Sequence, residues 1–167
     1  MTAHGPIVSD FAGEHRRATD DVNRWRGHCI DCYARIEQAI VEGLDDLITS
    51  GRNPSLKRAS LFGPRIEMLK KALLDDTFGK HAAAPRDALA ALSFVLARRN
   101  VLVHGVGKIW IGRGGEWLWQ YEFASNVNGR PKECGLITST EAAQIESVLT
   151  SNYRRLGDTL RNLVGSL

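Results

Sequence analysis

Apolar residues recur at three- and four-residue steps through Val22, Trp25, Cys29, Cys32, Ile36, Ile40, Leu44 and Leu47, the spacing of one buried stripe on a helix. The stripe predicts a long first helix from about Asp10 to Ile48, with Gly27 the one place where it could be interrupted. Gly51-Arg52-Asn53-Pro54-Ser55 ends it as a loop. Pro64 suits the first turn of a second helix, whose buried side carries Ile66, Leu69 and Leu73. Gly79 to Ala84 read as a connector, and Pro85 opens a third helix. Its inner face is formed by Leu89, Leu92, Val95 or Leu96, and Leu102 or Val103, and Gly105 supplies the stop.

The pattern changes at Lys108. Ile109-Trp110-Ile111 and the run Trp117 to Phe123 flank Gly112-Arg113-Gly114-Gly115, which reads as a β-hairpin. A loop with Asn128-Gly129 and Pro131 follows. The last helix begins near Thr138-Ser139-Thr140-Glu141, where a hydroxyl cap and an early acid suit the exposed N–H groups. Ala142, Ile145, Leu149, Leu156, Leu160 and Leu163 form its seam. The order predicts a mainly α fold in one domain, residues 1–167. It is a bundle of about four helices with a β-hairpin, about residues 106–124, inserted before the last one.

Composition narrows the class without naming a function. Hydrophobic residues at 43% and charged residues at 25% place the chain among globular proteins rather than disordered or fibrous ones. A net charge of +3 is too mild for coating nucleic acid, but it permits local basic patches. Three cysteines, an odd number, argue against a disulfide framework. No apolar run approaches the roughly 18 to 20 residues that span a bilayer. Met1-Thr2-Ala3-His4-Gly5-Pro6 lacks the basic and apolar regions of a secretory signal, so the expected compartment is the cytoplasm and no membrane partner is expected.

The candidate chemistry lies at the end of the third helix, in Arg98-Arg99-Asn100-Val101-Leu102-Val103-His104-Gly105. An arginine supplies a permanent fork for phosphate oxygens. An imidazole both accepts and donates protons near neutral pH. Asn100 and His104, four apart, project within about 40° of one another, whereas Arg99 and His104 diverge by about 140° on a straight helix. The helix must unwind near Gly105, the arginine must wrap round, or the partners come from two chains. The same residues also suit a decorated helix end.

Arg99-Asn100-Val101-Leu102-Val103-His104 resembles the signature of HEPN domains: an arginine, a polar residue, and a histidine a few positions on. The run Phe62 to Lys71 resembles the start of the second helix in such domains, and the order of elements is similar over most of the chain. The resemblance implies a HEPN-like helical bundle that pairs as a homodimer and brings both signatures together. Many such proteins cleave RNA without metal or cofactor, the ribose 2′-hydroxyl acting as nucleophile. Carried onto this chain, His104 handles the proton, Arg99 binds the scissile phosphate and Asn100 orients the site. Such chemistry acts on RNA and spares DNA. Two positions depart from the pattern. Toxins of this class paired with nucleotidyltransferase antitoxins carry a tyrosine where this chain has Val106, and the hairpin is no part of the minimal bundle. A defence or stress role is expected, with any protein partner or antitoxin left open. The alternative is a non-catalytic HEPN-like module that binds a nucleotide, RNA or a protein.

Other groups read more plainly. Cys29 and Cys32 fall on the inner stripe beside His28, and no second pair completes a metal site; Cys134 stands alone. Trp117, Trp119, Tyr121 and Phe123 share one strand face, expected to pack on the bundle. Lys108 and Arg113 are candidate substrate-binding cations, with Arg130 and Lys132 close in sequence. Arg16, Arg17, Arg24, Arg26, Arg35, Arg154, Arg155 and Arg161 read as solvated helix surface. His15 and His81 have no recognisable partners, and the glycine-rich turn opens no helix, so a nucleotide loop is not expected.

Overall fold

The inner stripe winds into one unbroken helix, α1 (Phe11–Thr49), in a computed structural model that describes residues 11–51, 61–74, 76–123 and 133–166. Gly27 does not interrupt it. That glycine faces solvent, and its penalty of about 1 kcal/mol is small against the apolar stripe that continues on both sides. The final helix, α5 (Ser139–Gly165), lies along α1, and α3 (Ala83–Leu96) packs on α5. Between them in sequence, α2 (Phe62–Leu74) leans on both α1 and α3. A 3-10 segment, Asp76–Ala82, leads into α3 through Gly79 at φ 52°, a left-handed conformation that favours glycine. The fold is mainly helical, and no described helix is long and apolar enough to cross a membrane.

The start of α5 is fixed by a reciprocal cap. Thr138 Oγ1 accepts the Glu141 backbone N–H at 3.1 Å, and Glu141 Oε2 accepts the Thr138 backbone N–H at 2.9 Å. The Thr138 N–H, and then its hydroxyl, hold the Glu141 carboxyl below its ordinary pKa.

Two elements differ from the sequence reading. The third helix is broken after Leu96 and resumes as a short α4 (Arg99–His104), so the described residues form five α-helices rather than about four. The hairpin, β1 (Val106–Ile111) and β2 (Trp117–Phe123), gains a third antiparallel strand, β3 (Glu133–Thr138), in the order β1-β2-β3. Cys134-Gly135-Leu136-Ile137 is too short and glycine-interrupted to announce a strand, and it forms by pairing on β2. Asp10, the segment Arg52 to Ser55, Asn128-Gly129, Arg130, Pro131 and Lys132 lie outside the described residues.

Trp117, Trp119, Tyr121 and Phe123 all turn toward the bundle, and Trp119 and Tyr121 are buried. Trp25 of α1 anchors them. Its ring lies 5.6 Å from Trp117 and 6.2 Å from Trp119, and its indole N–H donates to the Ala142 carbonyl at 2.9 Å. Cys29 and Cys32 are buried on the inner stripe, as expected of small apolar side chains.

Burial pushes the Cys29 thiol from 9.0 up to about 12, aided by Glu146 and by Cys32. The raised value means the folded state keeps its proton when the unfolded state has lost it. The stabilisation is therefore complete below pH 9.0 and is lost as pH rises toward about 12. We expect stability to fall over that window with a Cys29 contribution approaching 1.4 kcal/mol per pH unit, about one proton's worth. Denaturant titrations at pH 8 to 11 should give a shallower decline for Cys29→Ala than for the parent. Parallel declines would contradict the assignment.

Candidate functional site

Three polar side chains on α1 grip the segment that carries Arg99, Asn100 and His104. Arg26, Tyr33 and Glu37 are spaced by seven and four residues, so they project within about 40° along one line of the helix. They edge the inner stripe, next to Val22, Cys29, Ile36 and Ile40.

Tyr33 sets the break. Its buried hydroxyl donates to the Val95 carbonyl, which also accepts the Arg98 backbone N–H at 2.9 Å. A regular helix would bring the Arg99 N–H to Val95 instead. The three-residue step tightens the chain at Ala97 and Arg98, and a side chain inserted into the backbone ladder is an established cause of such a break. Burial raises the Tyr33 phenol, with Cys29 adding to the effect and Arg98 and Arg99 opposing it, so the hydroxyl stays a donor.

Arg26 fixes the other end, and here the sequence reading is corrected: it is not solvated helix surface. Its Nη2 donates to the Leu102 carbonyl at 2.8 Å and to the Gly105 carbonyl at 3.0 Å, and its Nε reaches Leu102 at 3.2 Å. The guanidinium carbon sits 4.4 Å from the Trp119 ring centre. Burial lowers the guanidinium pKa from its ordinary value. Carbonyls left over at the end of α4 are thereby satisfied by a cation rather than by water. Gly105 is required at this end because of a close approach: a Cβ there would lie 2.3 Å from the Val101 carbonyl oxygen and 3.2 Å from Trp119.

Glu37 engages Arg99. Its Oε2 lies 3.7 Å from Arg99 Nη2, and its Oε1 lies 3.1 Å from Arg65 Nη1 of α2. One carboxylate thus sits between two guanidiniums, the closer of them Arg65. The Arg99 guanidinium also lies 5.1 Å from the Phe62 ring centre. At 31% side-chain exposure, Arg99 is reachable from solvent.

The break falls before Arg99, not between it and His104, so their divergence survives. Arg99 turns to α1 and α2, while the exposed His104 ring stacks on Phe123 of β2 at 6.1 Å and 22°. Asn100 is exposed like His104, four residues away on the same side of α4. The structure therefore brings Asn100 and His104 together and holds Arg99 apart from them. Lys108 is exposed on β1, four residues beyond His104. Arg113 sits in the hairpin turn at the far end of β1, about 20 Å of strand away from α4. Arg98 lies with its guanidinium 5.5 Å from the ring centre of Phe94. Among the described residues, no group of three or more His, Cys, Asp or Glu could hold a metal ion.

Arg26, Tyr33, Glu37 and Arg65 were not singled out from the sequence as site residues. For the first three a signal existed: they sit at helical steps from the inward residues, so they border the buried face. Nothing comparable marked Arg65.

Two substitutions test the grip. Arg26→Met keeps a long apolar stem against Trp119 but leaves the Leu102 and Gly105 carbonyls unpaired; we expect a loss of about 2 to 3 kcal/mol. Tyr33→Phe removes one donor and should remove about 1 kcal/mol, a drop in midpoint of a few degrees for a chain of this size. Thermal unfolding measures both, and an unchanged midpoint in Arg26→Met would refute the capping role. No protein-family model, no curated protein and no solved structure matches this chain, so any functional reading stands on the signature and on this geometry.

Proposed function

We propose that the chain is a HEPN-like endoribonuclease that needs no metal and assembles its working site from two copies. The observation that carries this reading is the divergence of Arg99 and His104 on the short helix α4. Within a single chain the two side chains have different neighbours, and neither unwinding at Gly105 nor a wrapped arginine joins them. Arg99 of one copy and His104 of the other can meet across a two-fold axis.

Supporting surface lies beside the signature. Ala90, Ala91, Phe94 and Ala97 are exposed at helical spacing on α3 and at its end, with Phe94 61% exposed. A second copy packed on this ridge would lie close to Asn100 and His104. In the composite site, His104 takes the proton of a ribose 2′-hydroxyl as that oxygen attacks phosphorus. The P–O5′ bond breaks, the leaving oxygen is protonated, and a 2′,3′-cyclic phosphate forms. Arg99 holds the non-bridging oxygens and Asn100 orients the site. The reaction requires a 2′-hydroxyl, so the substrate is RNA.

The second reading, a non-catalytic HEPN-like binding module, is favoured by one observation. Arg99 already faces Glu37, and His104 already stacks on Phe123, so both have partners within the chain.

Purified protein incubated with mixed RNA in excess chelator decides between them. The nuclease reading expects cleavage that falls roughly 100-fold or more in His104→Ala and in Arg99→Ala. Mixing the two variants should restore activity that neither has alone, because a mixed dimer retains one intact composite site. Equal cleavage by all three proteins, or a monomer in sedimentation, sinks the proposal.

A further inference from the structure

Among the surface grooves of the described residues, three carry carboxylates beside arginines and a fourth carries a cation alone. Glu42 and Asp158 line one, Asp21 and Glu146 a second, and Glu42, Asp45 and Asp46 a third. The fourth, about 470 Å3, is lined by His15, Thr19, Gly107, Lys108, Ile109 and Trp110, with an ammonium group and no carboxylate. It runs between the N-terminal part of α1 and the edge strand β1, which starts two residues after His104.

Trp110 gives this groove its character. The four aromatic residues of β2 turn inward, but Trp110 stands 52% exposed on the opposite sheet face, the same face as Lys108. Its indole N–H donates to Gln120 Oε1 at 3.0 Å, which orients the ring while about half of the residue stays exposed. A rigid exposed ring one strand repeat from an ammonium group suits a planar base joined to an anionic backbone. Val106, Leu118 and Leu136 share this outer sheet face with Lys108 and Gln120; Glu122 lies on it too, opposite Val106 and diagonal to Lys108, while Trp110 pairs with Leu118. Addition of a peptide strand is disfavoured because α1 lies against β1 and forms the other wall of the groove.

We propose that this groove is a binding subsite for a nucleotide of single-stranded RNA, its base stacked on Trp110 and its phosphate on Lys108. The proposal rests on the ribonuclease reading for its ligand and extends it. Lys108 lies within about 13 Å of strand from His104 and Trp110 within about 20 Å, so RNA held here lies a few nucleotides from the scissile position.

The probe is a labelled 2′-O-methyl oligonucleotide, which has no free 2′-hydroxyl and cannot be cleaved by the proposed reaction. Fluorescence anisotropy should give roughly 5- to 100-fold weaker binding for Trp110→Ala, with Trp110→Phe retaining most of the affinity. For Lys108→Ala the slope of log affinity against log salt should shrink by about one. Circular dichroism confirms that the variants are folded. No binding by the parent, or equal binding by parent and Trp110→Ala, overturns the subsite. A Trp110→Ala protein that changes association state but not oligonucleotide affinity assigns the face to a second copy and also overturns it. If Trp110 matters for binding while the parent cleaves no RNA, the subsite stands and the nuclease reading falls.

Discussion

The geometry of the signature depends on one row of polar groups along α1. Arg26, Tyr33 and Glu37 each take hold of a different part of the α3–α4 segment: a helix end, a helix break and the Arg99 side chain. Arg26 pairs the Leu102 and Gly105 carbonyls at the end of α4, and Tyr33 adds a second donor to a Val95 carbonyl that already accepts the Arg98 N–H. Hydrogen bonds of this kind contribute about 1 to 3 kcal/mol each, a large share of a total stability of about 5 to 15 kcal/mol. The row therefore orients α4 as well as stabilising it. A six-residue helix has no independent stability, so its direction is set by the buried Val101 and Leu102 side chains together with this grip.

That orientation has an electrostatic consequence for Arg99. Glu37 holds Arg65 at 3.1 Å and Arg99 at 3.7 Å, so the carboxylate leans toward Arg65 and leaves Arg99 loosely paired. An Arg99 locked in a short bidentate pair would be spent on the fold. Arg99 is instead steered by a more distant carboxylate and by the Phe62 ring, and it stays partly exposed. The same arrangement serves either proposed reading. In the nuclease it presents a prepared cation to the scissile group, and in a binding module it presents the same cation to a static anion.

The helices were legible in the sequence because each buries a continuous apolar stripe, and Val22 to Leu47 alone define α1. The paired aromatic strands were legible for the same reason, with period two in place of 3.6. The break at Ala97 and Arg98 was not, because its cause is a hydroxyl 62 residues away on another helix. Strand β3 escaped because it exists only by pairing on β2. At the site, Arg99, Asn100 and His104 were visible as a motif, but Arg26 was read as surface. A long side chain beside Trp25, Cys29 and Tyr33 can hide its stem and still use its head, and residue type alone does not distinguish that from solvation.

The sheet makes the same point about facing. Period two sent Trp117, Trp119, Tyr121 and Phe123 inward together: Trp25 meets the first two, Tyr121 packs on Trp119, and Phe123 stacks with His104. Register then leaves Trp110 outside, since it pairs with Leu118 and not with an inward residue. An exposed tryptophan is unfavourable on a surface that meets only water, and here its ring is also held still by Gln120. Holding an exposed ring gives up conformational entropy, a cost that the proposed nucleotide contact would offset. The hairpin then joins the bundle to the signature in two ways. Its inner face supports Arg26 through Trp119, and its outer face offers a platform a short strand away from His104.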